Sequence, residues 1–329
     1  MSRRAPGPKR RAASTTVVIA CHDNDRFASL ARAVRSVLAQ DARPAAVVVA
    51  VDHAPALAAR VRGALPEARV VLADGPHRGA SATRNAGAAL ADGDLVAFLD
   101  DDEVAEPDWL GRLLEPFDDP RVVGTGGRYA AVWQAGRPGW FPDEFGWAVG
   151  SAYTGMPTRR TPVRNVWSGN MAVRTTAFAR VGGFRAGFGK TGGASRPEDT
   201  DLCIRVAHAT GGHWVYVPDA VIDHDVPADR STFGFFLRRC FAEGRGKVEL
   251  ARALRADAAP DLLDGDASAD GAPGDPLDAE RGYLTRTLPA GVLRNVRAGG
   301  LGRAGAIVAG AAAAGAGAGA ALVGAGGRP

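Results

Sequence analysis

Apolar and polar residues alternate in two different rhythms along the first hundred residues of the chain. Residues 15–20 (TTVVIA) and 46–51 (AVVVAV) are continuous apolar runs, which are typical of strands buried on both faces of a sheet. Between these runs, apolar side chains recur every three or four residues over 27–38, and this spacing predicts an amphipathic helix. The alternation continues with helices over 56–63 and 81–90 and with strands over 69–72 and 94–99.

Strands that alternate with helices in this way predict an α/β fold. Crossover helices place successive strands in parallel, so we expect a mostly parallel, Rossmann-like central sheet flanked by helices. Ligands of such sheets bind at the carboxyl ends of the strands. The residues that directly follow the strands are therefore the first candidates for function, namely 21–24 (CHDN), 52–53 (DH) and 100–102 (DDD).

The pattern is less regular beyond residue 104. Apolar spacing predicts helices over 107–117, from Glu198 onward and over 231–252, together with a strand over 214–217. Residues 129–167 hold four of the six tryptophans among many Gly and Pro residues, which predicts a long loop region. We therefore expect one main domain over residues 15–252.

Composition narrows the class of protein. With 46% hydrophobic and 23% charged residues, the 329-residue chain suits a globular fold and not a disordered one. Its three cysteines lie far apart, which argues against a disulfide scaffold or a zinc finger and favours reduced thiols in the cytoplasm. Only three of the 40 basic residues are lysine, a bias that indicates a GC-rich genome and not a nucleic-acid-binding surface. We expect no nucleic-acid partner.

Charge and hydropathy set three terminal segments apart. Residues 1–14 carry five basic residues and no acid, which predicts a disordered basic arm. Residues 253–280 contain seven aspartates and a glutamate, which predicts a disordered acidic linker. Residues 281–329 are expected to form a helix and a Gly/Ala-rich tail, in which 304–327 lacks charge, is long enough to span a bilayer and holds the GxxxG pair Gly315 and Gly319. This tail is a candidate membrane anchor on the cytoplasmic face, with a low-complexity tail as the alternative.

Three adjacent carboxylates, Asp100, Asp101 and Asp102, follow the last apolar run of the alternating region. Adjacent carboxylates repel one another, so their clustering indicates a bound cation or wide solvation. A hard divalent ion with oxygen ligands fits this group, and Mg²⁺ or Mn²⁺ bound in this way commonly also holds a phosphate. The sequence therefore predicts a divalent cation at this edge of the sheet, with a solvated acidic turn as the alternative.

Four motifs of the chain resemble those of the inverting family 2 glycosyltransferases with the GT-A fold. They are VVIACHDNDR (17–26), GASATRNAGAALADGDLVAFLDDDEVAEPDWL (79–110), SGNMAVRTTAFARVGGF (168–184) and RPEDTDLCIRV (196–206), in the order and spacing of that family. The resemblance covers about residues 15–250. It implies metal-dependent transfer of a sugar, with inversion, from a nucleotide-diphosphate sugar, with a UDP-sugar as first choice, to a hydroxyl acceptor.

The resemblance also implies roles for individual residues. Asp100 and Asp102 match the DxD element, and His224 matches a histidine that can reach the metal or phosphate in many relatives. Asp199 is expected to be the catalytic base, with Glu198 as its alternative. Asp201 is a weaker candidate for the same role. The nucleotide-sugar site is expected to contain Ala20, Cys21, Asp23, Asp52, Arg84, Asn85, Asp100 and Asp101.

The acceptor side is expected to contain Trp167, Gly169, Asn170, Arg238 and Arg245. Processive relatives carry a QxxRW motif where this chain has FLRRCFAEGRGK (236–247), so its absence favours a single addition in cell-envelope, lipid-linked or secondary-metabolite glycan synthesis. Aromatic side chains can stack on sugar faces, and arginines can hold a diphosphate or an anionic acceptor. Loop packing and a solvated basic helix face are the structural alternatives.

Several of the remaining candidate residues have structural alternatives as well. Asp52 could cap a turn, Arg84 could pair with a surface acid, and His224 could be a hydrogen-bonded, partly buried histidine. Glu198 and Asp199 could simply stabilise the start of a helix.

Other classes of protein use a similar sheet. A sugar-phosphate nucleotidyltransferase should have a glycine-rich loop with a basic residue after its first strand, and here that loop is CHDNDR, without glycine. A catalytically silent sugar-nucleotide-binding protein should lack the base or the metal-binding acids, and both are present. A dehydrogenase should carry GxGxxG after the first strand, and this motif is missing.

Overall fold

The computed structural model of this protein describes residues 13–191, 194–257 and 278–323. Residues 1–12 of the predicted basic arm, 258–277 of the predicted linker and 324–329 of the tail lie outside this part of the chain. Helix is present through Asp257 and again from Asp278, so both ends of the predicted linker are helical in the described residues. The Ala, Leu and Arg residues at 251–256 are strong helix formers, which explains the longer helix.

A central sheet of nine strands organises the described residues. The strands are β1 (Thr15–Cys21), β2 (Ala46–Asp52), β3 (Arg69–Ala73), β4 (Leu95–Asp100), β5 (Glu103–Ala105), β6 (Val122–Trp133), β7 (Thr161–Val163), β8 (Asn170–Arg174) and β11 (His213–Val226). Their order is β3-β2-β1-β4-β8-β6-β11-β5, and β7 pairs with β11. A separate hairpin consists of β9 (Gly189–Thr191) and β10 (Ala194–Arg196).

Helices cover the sheet and extend beyond it at the C-terminal end. They are α1 (Phe27–Leu38), α2 (Pro55–Ala64), α3 (Ala80–Ala88), α4 (Trp109–Leu114), α5 (Thr175–Arg180), α6 (Glu198–Thr210), α7 (Phe233–Asp257), α8 (Asp278–Gly282), α9 (Leu288–Arg297) and α10 (Leu301–Val323). A π-helical turn, Tyr283–Thr287, joins α8 to α9.

Strands β1 to β4 run parallel to one another, as the alternating pattern predicts. Their apolar side chains are buried on both faces, and the two sides of the sheet form separate hydrophobic cores. Strand β8 then joins antiparallel to both β4 and β6. The predicted α/β class with a GT-A-like sheet and a C-terminal extension is confirmed.

Strand β6, which reaches into the start of the region predicted as a long loop, is hidden from the sequence pattern. It has twelve residues, and its glycines make room for large neighbours. A Cβ at Gly124 would lie 2.2 Å from the Trp214 ring, and one at Gly126 would lie 2.2 Å from Val166. Glycine lowers strand propensity, so these close approaches conceal the strand from a reading of apolar spacing.

The C-terminal helices form a layer of their own, in which α10 packs along α7. The contact uses small residues, because a Cβ at Gly244 would lie 1.9 Å from the Ala314 carbonyl oxygen and one at Gly317 would lie 1.9 Å from that of Phe241. Gly315 and Gly319, the predicted GxxxG pair, have open space around them instead. The pair therefore lies outside the α7–α10 contact.

Candidate active site

The parallel strands bring the predicted site residues to one edge of the sheet. Cys21, Asp52 and Asp100 end the adjacent strands β1, β2 and β4. Helix α6 brings further carboxylates to the same place, because Arg84 joins Asp100 to Glu198. We call the carboxylates gathered here the acid edge: Asp100, Asp101, Asp102, Glu103, Glu198 and Asp199.

An arginine from the loop after β1 closes one side of the acid edge. The Arg26 guanidinium lies 2.7 Å from Asp101 Oδ1 and 2.6 Å from Asp102 Oδ2. Burial, together with the neighbouring carboxylates and against the effect of Arg26, raises the pKa of Asp101 to about 7. Asp101 Oδ2 is buried and has no hydrogen-bond partner among the described residues. One arginine therefore does not balance the charge of this group.

A second arginine, Arg84 of α3, lies beneath the acid edge. It is buried and donates hydrogen bonds to Asp100 Oδ1 and, over 3.3 Å, to Glu198 Oε1. Burial opposes its charge, but the two carboxylates raise the pKa of Arg84 above its ordinary value. The structural alternative for Arg84 is a pairing with a surface acid; the structure pairs it instead with Asp100 and Glu198 of the acid edge.

Asp102, Glu103 and His224 form a group whose ligand atoms all lie within 4.8 Å of one another. The antiparallel pairing of β5 with β11 sets Glu103 directly opposite His224. Burial, followed by Asp100 and Asp102, raises the pKa of Glu103 well above its ordinary value. Gly169 leaves space beside these carboxylates, since a Cβ there would lie 2.6 Å from Glu103 Oε1. Two carboxylates and one imidazole suit Mn²⁺ better than Mg²⁺, which prefers oxygen ligands alone.

Asp199 lies in the first turn of α6, beside Glu198. Burial raises the pKa of Asp199 to about 7, and the Glu198 carboxylate adds to this effect while Lys247 acts against it. Its Oδ1 accepts a hydrogen bond of 2.5 Å from the Thr200 N–H, so the carboxylate also helps to cap the helix. A carboxyl group with a pKa near neutrality can accept a proton at physiological pH.

Asp52 and Asp23 organise the loops around the edge. Asp52 Oδ2 accepts a hydrogen bond of 2.9 Å from the Gly79 N–H just before α3, and its Oδ1 lies 2.6 Å from His53 Nδ1. Asp23 accepts a hydrogen bond from the Asp25 N–H. Ala20 is paired with Asp100 across β1 and β4. The turn-capping alternative for Asp52 is thus present in the structure.

Three other predicted site residues make contacts that hold the fold together. Both ends of the Asn85 amide bond the Phe184 backbone, at 2.7 and 2.9 Å. Asn170 is fully buried and accepts a hydrogen bond of 2.7 Å from Trp109 Nε1. Asp201, also fully buried, pairs with Arg185 and Arg205 at 3.1 and 2.7 Å.

The acceptor-side predictions divide into two groups. Trp167 lies next to the acid edge and packs edge-on against Tyr129, with ring centroids 4.9 Å apart. Arg238 and Arg245 lie on an exposed face of α7, where Arg245 pairs with Glu249 at 3.0 Å. They match the alternative of a solvated helix face.

Sequence reasoning missed Arg26, Glu103 and Tyr129 as site residues. A signal for Arg26 existed, because it is the first cation after β1 and β1 pairs with the strand that ends in the aspartates. Glu103 offered a signal too, since it stands one residue beyond the aspartate run. Tyr129 offered none, because β6 itself was hidden.

Comparisons with known proteins bear on the family of the chain and on its fold. The model of the family described as Glycosyl transferase family 2 matches residues 16–182. The chain is 32% identical over 236 residues to the glucosyl-dolichyl phosphate glucuronosyltransferase of Haloferax volcanii, covering 70% of this chain and 75% of that protein. It is 30% identical over 242 residues to the succinoglycan biosynthesis protein ExoM of Rhizobium meliloti, with the same coverage of 70% and 75%.

Among solved structures, the mannosyltransferase PcManGT from Pyrobaculum calidifontis, in complex with GDP-Man and Mn²⁺, superposes with a TM-score of 0.59 at 18% identity. The superposition covers 97% of this chain and 89% of that one, and it shows the shared fold. The chain belongs to glycosyl transferase family 2. It is a glycosyltransferase.

Proposed function

We propose that this protein transfers a sugar from a nucleotide-diphosphate sugar to a hydroxyl acceptor, with inversion, in a lipid-linked or polysaccharide pathway. The observation that carries the proposal is the joining, through buried Arg84, of the strand-end acid Asp100 to the helix α6 acids. Donor-side and acceptor-side groups thereby meet at one edge of the sheet. The two relatives, named for a dolichyl phosphate glucuronosyltransferase and for succinoglycan biosynthesis, support the pathway class.

Residues of the strand-end loops are the proposed donor-binding groups. Arg26 spans two carboxylates of the acid edge and keeps about a third of its side chain exposed, so it is suited to meet a diphosphate. Asp52 fixes the loop before α3, and Cys21 is buried at the end of β1. We retain a UDP-sugar as the first donor to test, alongside a GDP-sugar.

The potential metal ligands at the acid edge fit a divalent cation. Asp102, Glu103 and His224 would hold it, with Asp100 beside them, and Gly169 leaves the space that a side chain would fill. When bound, such an ion neutralises charge on the leaving nucleoside diphosphate. Arg26 would remain within reach of the same phosphates, because it already lies against Asp101 and Asp102.

Asp199 is the proposed base. Inversion needs a single carboxylate to take the proton from the acceptor hydroxyl while the hydroxyl oxygen attacks the anomeric carbon. The nucleoside diphosphate leaves with the electron pair of the broken bond. Burial and Glu198 raise the pKa of Asp199 to about 7, which allows this transfer near neutral pH. Glu198 is held by Arg84 and Ser168, at 3.3 and 3.4 Å, and is therefore less available for the same role.

We further propose that the C-terminal layer attaches the protein to a membrane. Helix α10 is long and apolar enough to cross one by length and composition. Nine of the eleven large hydrophobic side chains exposed in the described residues lie within 233–323. Because one side of α10 packs on α7, we expect it to lie against the lipid surface with its exposed side, flanked by exposed arginines such as Arg238 and Arg245.

Cation-dependent donor binding tests the central proposal. We expect UDP- or GDP-sugars to raise the melting temperature of the wild-type protein only when Mn²⁺ or Mg²⁺ is present, by about 5 °C at 100 times Kd. Asp102→Ala should lose this shift and lower transfer by about 1,000-fold, because a cation contributes several kcal/mol of charge stabilisation.

Asp108→Ala is the matched control, since Asp108 is an exposed carboxylate that pairs with Arg112 on α4. It should keep both the shift and the activity. A cation-dependent shift that survives in Asp102→Ala would overturn the metal assignment, and a donor panel without any shift would overturn the donor class.

A further inference from the structure

A second cluster of charged side chains lies on the α7 side of the site, and the proposed mechanism does not use it. Glu280 of α8 accepts hydrogen bonds from both terminal nitrogens of Arg164, at 2.7 and 2.8 Å. Lys247 of α7 lies 3.0 Å from the same carboxylate and 3.5 Å from Glu243. Arg239 completes the group with a 3.0 Å contact to Glu243. We call these five residues the Glu280 cluster.

The cation pair of this cluster, Arg164 and Lys247, has the chemistry of an oxyanion site. A planar guanidinium that offers two parallel N–H donors matches a carboxylate or a phosphate, and an ammonium group adds a compact charge. Burial disfavours the Glu280 carboxylate, yet the cation pair holds the pKa of Glu280 at about 2. About a fifth of each of the two cationic side chains is exposed, so a ligand can reach them.

The cation pair is close to the proposed base. The Lys247 ammonium acts to lower the pKa of Asp199, and the Asp199 carboxylate in turn acts on the pKa values of Lys247 and Arg164. Helix α7 contacts strand β10, which leads directly into α6. A molecule that meets Asp199 would therefore have Arg164 and Lys247 within reach of its next groups.

A row of aromatic rings connects the two places. Burial raises the pKa of Tyr129 well above its ordinary value, and Glu103, Asp100 and Asp199 add to this effect. The Tyr129 ring packs on Trp167. The centroid of the Trp167 ring lies 6.2 Å from that of Tyr153. Burial raises the pKa of Tyr153, and the charges of Lys247, Glu280 and Arg164 also influence this pKa. Tyr153 in turn lies 5.7 Å from Tyr283. Tyr129 is itself buried, but Trp167 and Tyr153 are partly exposed, and aromatic rings of this kind can stack on sugar faces. These two rings therefore suit a sugar that extends from the acid edge toward the cation pair.

We propose that Arg164 and Lys247 form a subsite for an anionic oxyacid group, a phosphate or a carboxylate, carried by the acceptor sugar, and that the Glu280 carboxylate occupies this subsite until the acceptor displaces it. The proposal rests on the proposed transferase function for the identity of the acceptor. The acceptor is then a negatively charged glycoside and not a neutral one. Glu280 acts as an internal competitor, because its carboxylate offers two oxygens to Arg164 and Lys247, as the anionic group of the acceptor would.

Inorganic phosphate, titrated into the protein by calorimetry without donor or acceptor, tests the subsite. Glu280→Gln keeps the size of the side chain but removes its charge, so phosphate should bind at least about tenfold more tightly than to the wild type. Lys247→Met in the Glu280→Gln background should remove that gain. A gain that persists after Lys247→Met would locate the phosphate elsewhere, for instance beside Arg26, and would overturn the proposal.

Controls separate this outcome from general effects of charge and folding. Glu249→Gln removes an acid of α7 that pairs with Arg245, and it should leave phosphate affinity unchanged. Glu280→Asp shortens the side chain while keeping its charge, and it should give a smaller gain, so it carries the test if Glu280→Gln does not fold. Equal affinities in the wild type, Glu280→Gln and Glu280→Asp would mean that the cluster is only structural.

The same titration with acetate distinguishes the two sources of the anion. Tighter binding of phosphate than of acetate by Glu280→Gln supports a phosphorylated acceptor, and the reverse order supports a uronic or other carboxylated sugar. Because these titrations contain no donor, a negative result leaves the transferase proposal intact. Failure of the donor-binding test, in turn, leaves the subsite measurable.

Discussion

The acid edge and the Glu280 cluster lie close together and have opposite balances of charge. The acid edge gathers six carboxylates around two arginines, Arg26 and Arg84. The Glu280 cluster sets three cations against two carboxylates. Burial raises the pKa of Asp101 and Asp199 to about 7 at the first place, whereas at the second the cations hold that of Glu280 near 2 despite burial. An unbalanced site invites a ligand of the missing charge, so one place suits a cation and the other an anion.

Two acids of the same helix turn give the largest expected effects. Asp199→Asn should lower kcat by about 100- to 10,000-fold, because a general base is lost, while donor affinity is retained. Asp201→Asn should instead lower stability, by about 3 kcal/mol, because two arginines lose their buried partner. Transfer kinetics and thermal melting distinguish the two. Loss of donor binding in Asp199→Asn would move that residue to the donor site.

The pH dependence of the reaction measures how strongly the two places interact. Protonation of Asp199 removes the base, so kcat/KM should fall as pH decreases through about 7, the pKa to which burial and Glu198 raise that group. Lys247→Met removes a cation that opposes this rise, and we expect the acid limb to move up by about half a pH unit. The charged groups that face Asp199 here are Glu198, Lys247 and Glu243. An unchanged acid limb would show that the acid edge and the Glu280 cluster do not interact electrostatically.

Two glycine variants test the helical layer that carries Lys247. Gly317→Ala should destabilise the protein by about 1–3 kcal/mol, because the new Cβ would lie 1.9 Å from the Phe241 carbonyl oxygen. Gly319→Ala meets open space in the same helix and should stabilise it slightly, by up to about 1 kcal/mol. Thermal melting of the two variants compares them directly. Equal melting temperatures would contradict the packing of α10 on α7.

The sequence predicted the half of the fold whose strands are buried on both faces. Strands β1, β2 and β4 are short, continuous apolar runs, with several valines in β1 and β2, a pattern that is typical of the centre of a parallel sheet. Strand β6 was missed because its glycines accommodate Trp214 and Val166, a contact that links residues far apart in sequence. Strand β11 extends well beyond the predicted 214–217, and a register shift between Val217 and Val221 interrupts its pattern.

Site residues divide in a similar way. Asp100 and Asp102 could be predicted because a strand end fixes where they lie. Asn85, Asn170 and Asp201 stand inside the family motifs, yet each is satisfied by the backbone, a tryptophan or arginines of the fold. A motif contains the residues that support a site as well as those that serve it. Only the three-dimensional partners distinguish the two kinds.

Helix α10 presents a practical problem for anyone who wishes to make this enzyme easier to handle. Its outer side is apolar, with Val308 58% exposed, while its inner side covers Phe236 through Gly310. Deleting residues 301–323 would remove one apolar surface and expose another on α7. Replacing outward positions such as Val308 with charged residues would instead leave the helix in place as a cover. The segment that resembles a detachable tail is better treated as part of the domain to be redesigned from the outside.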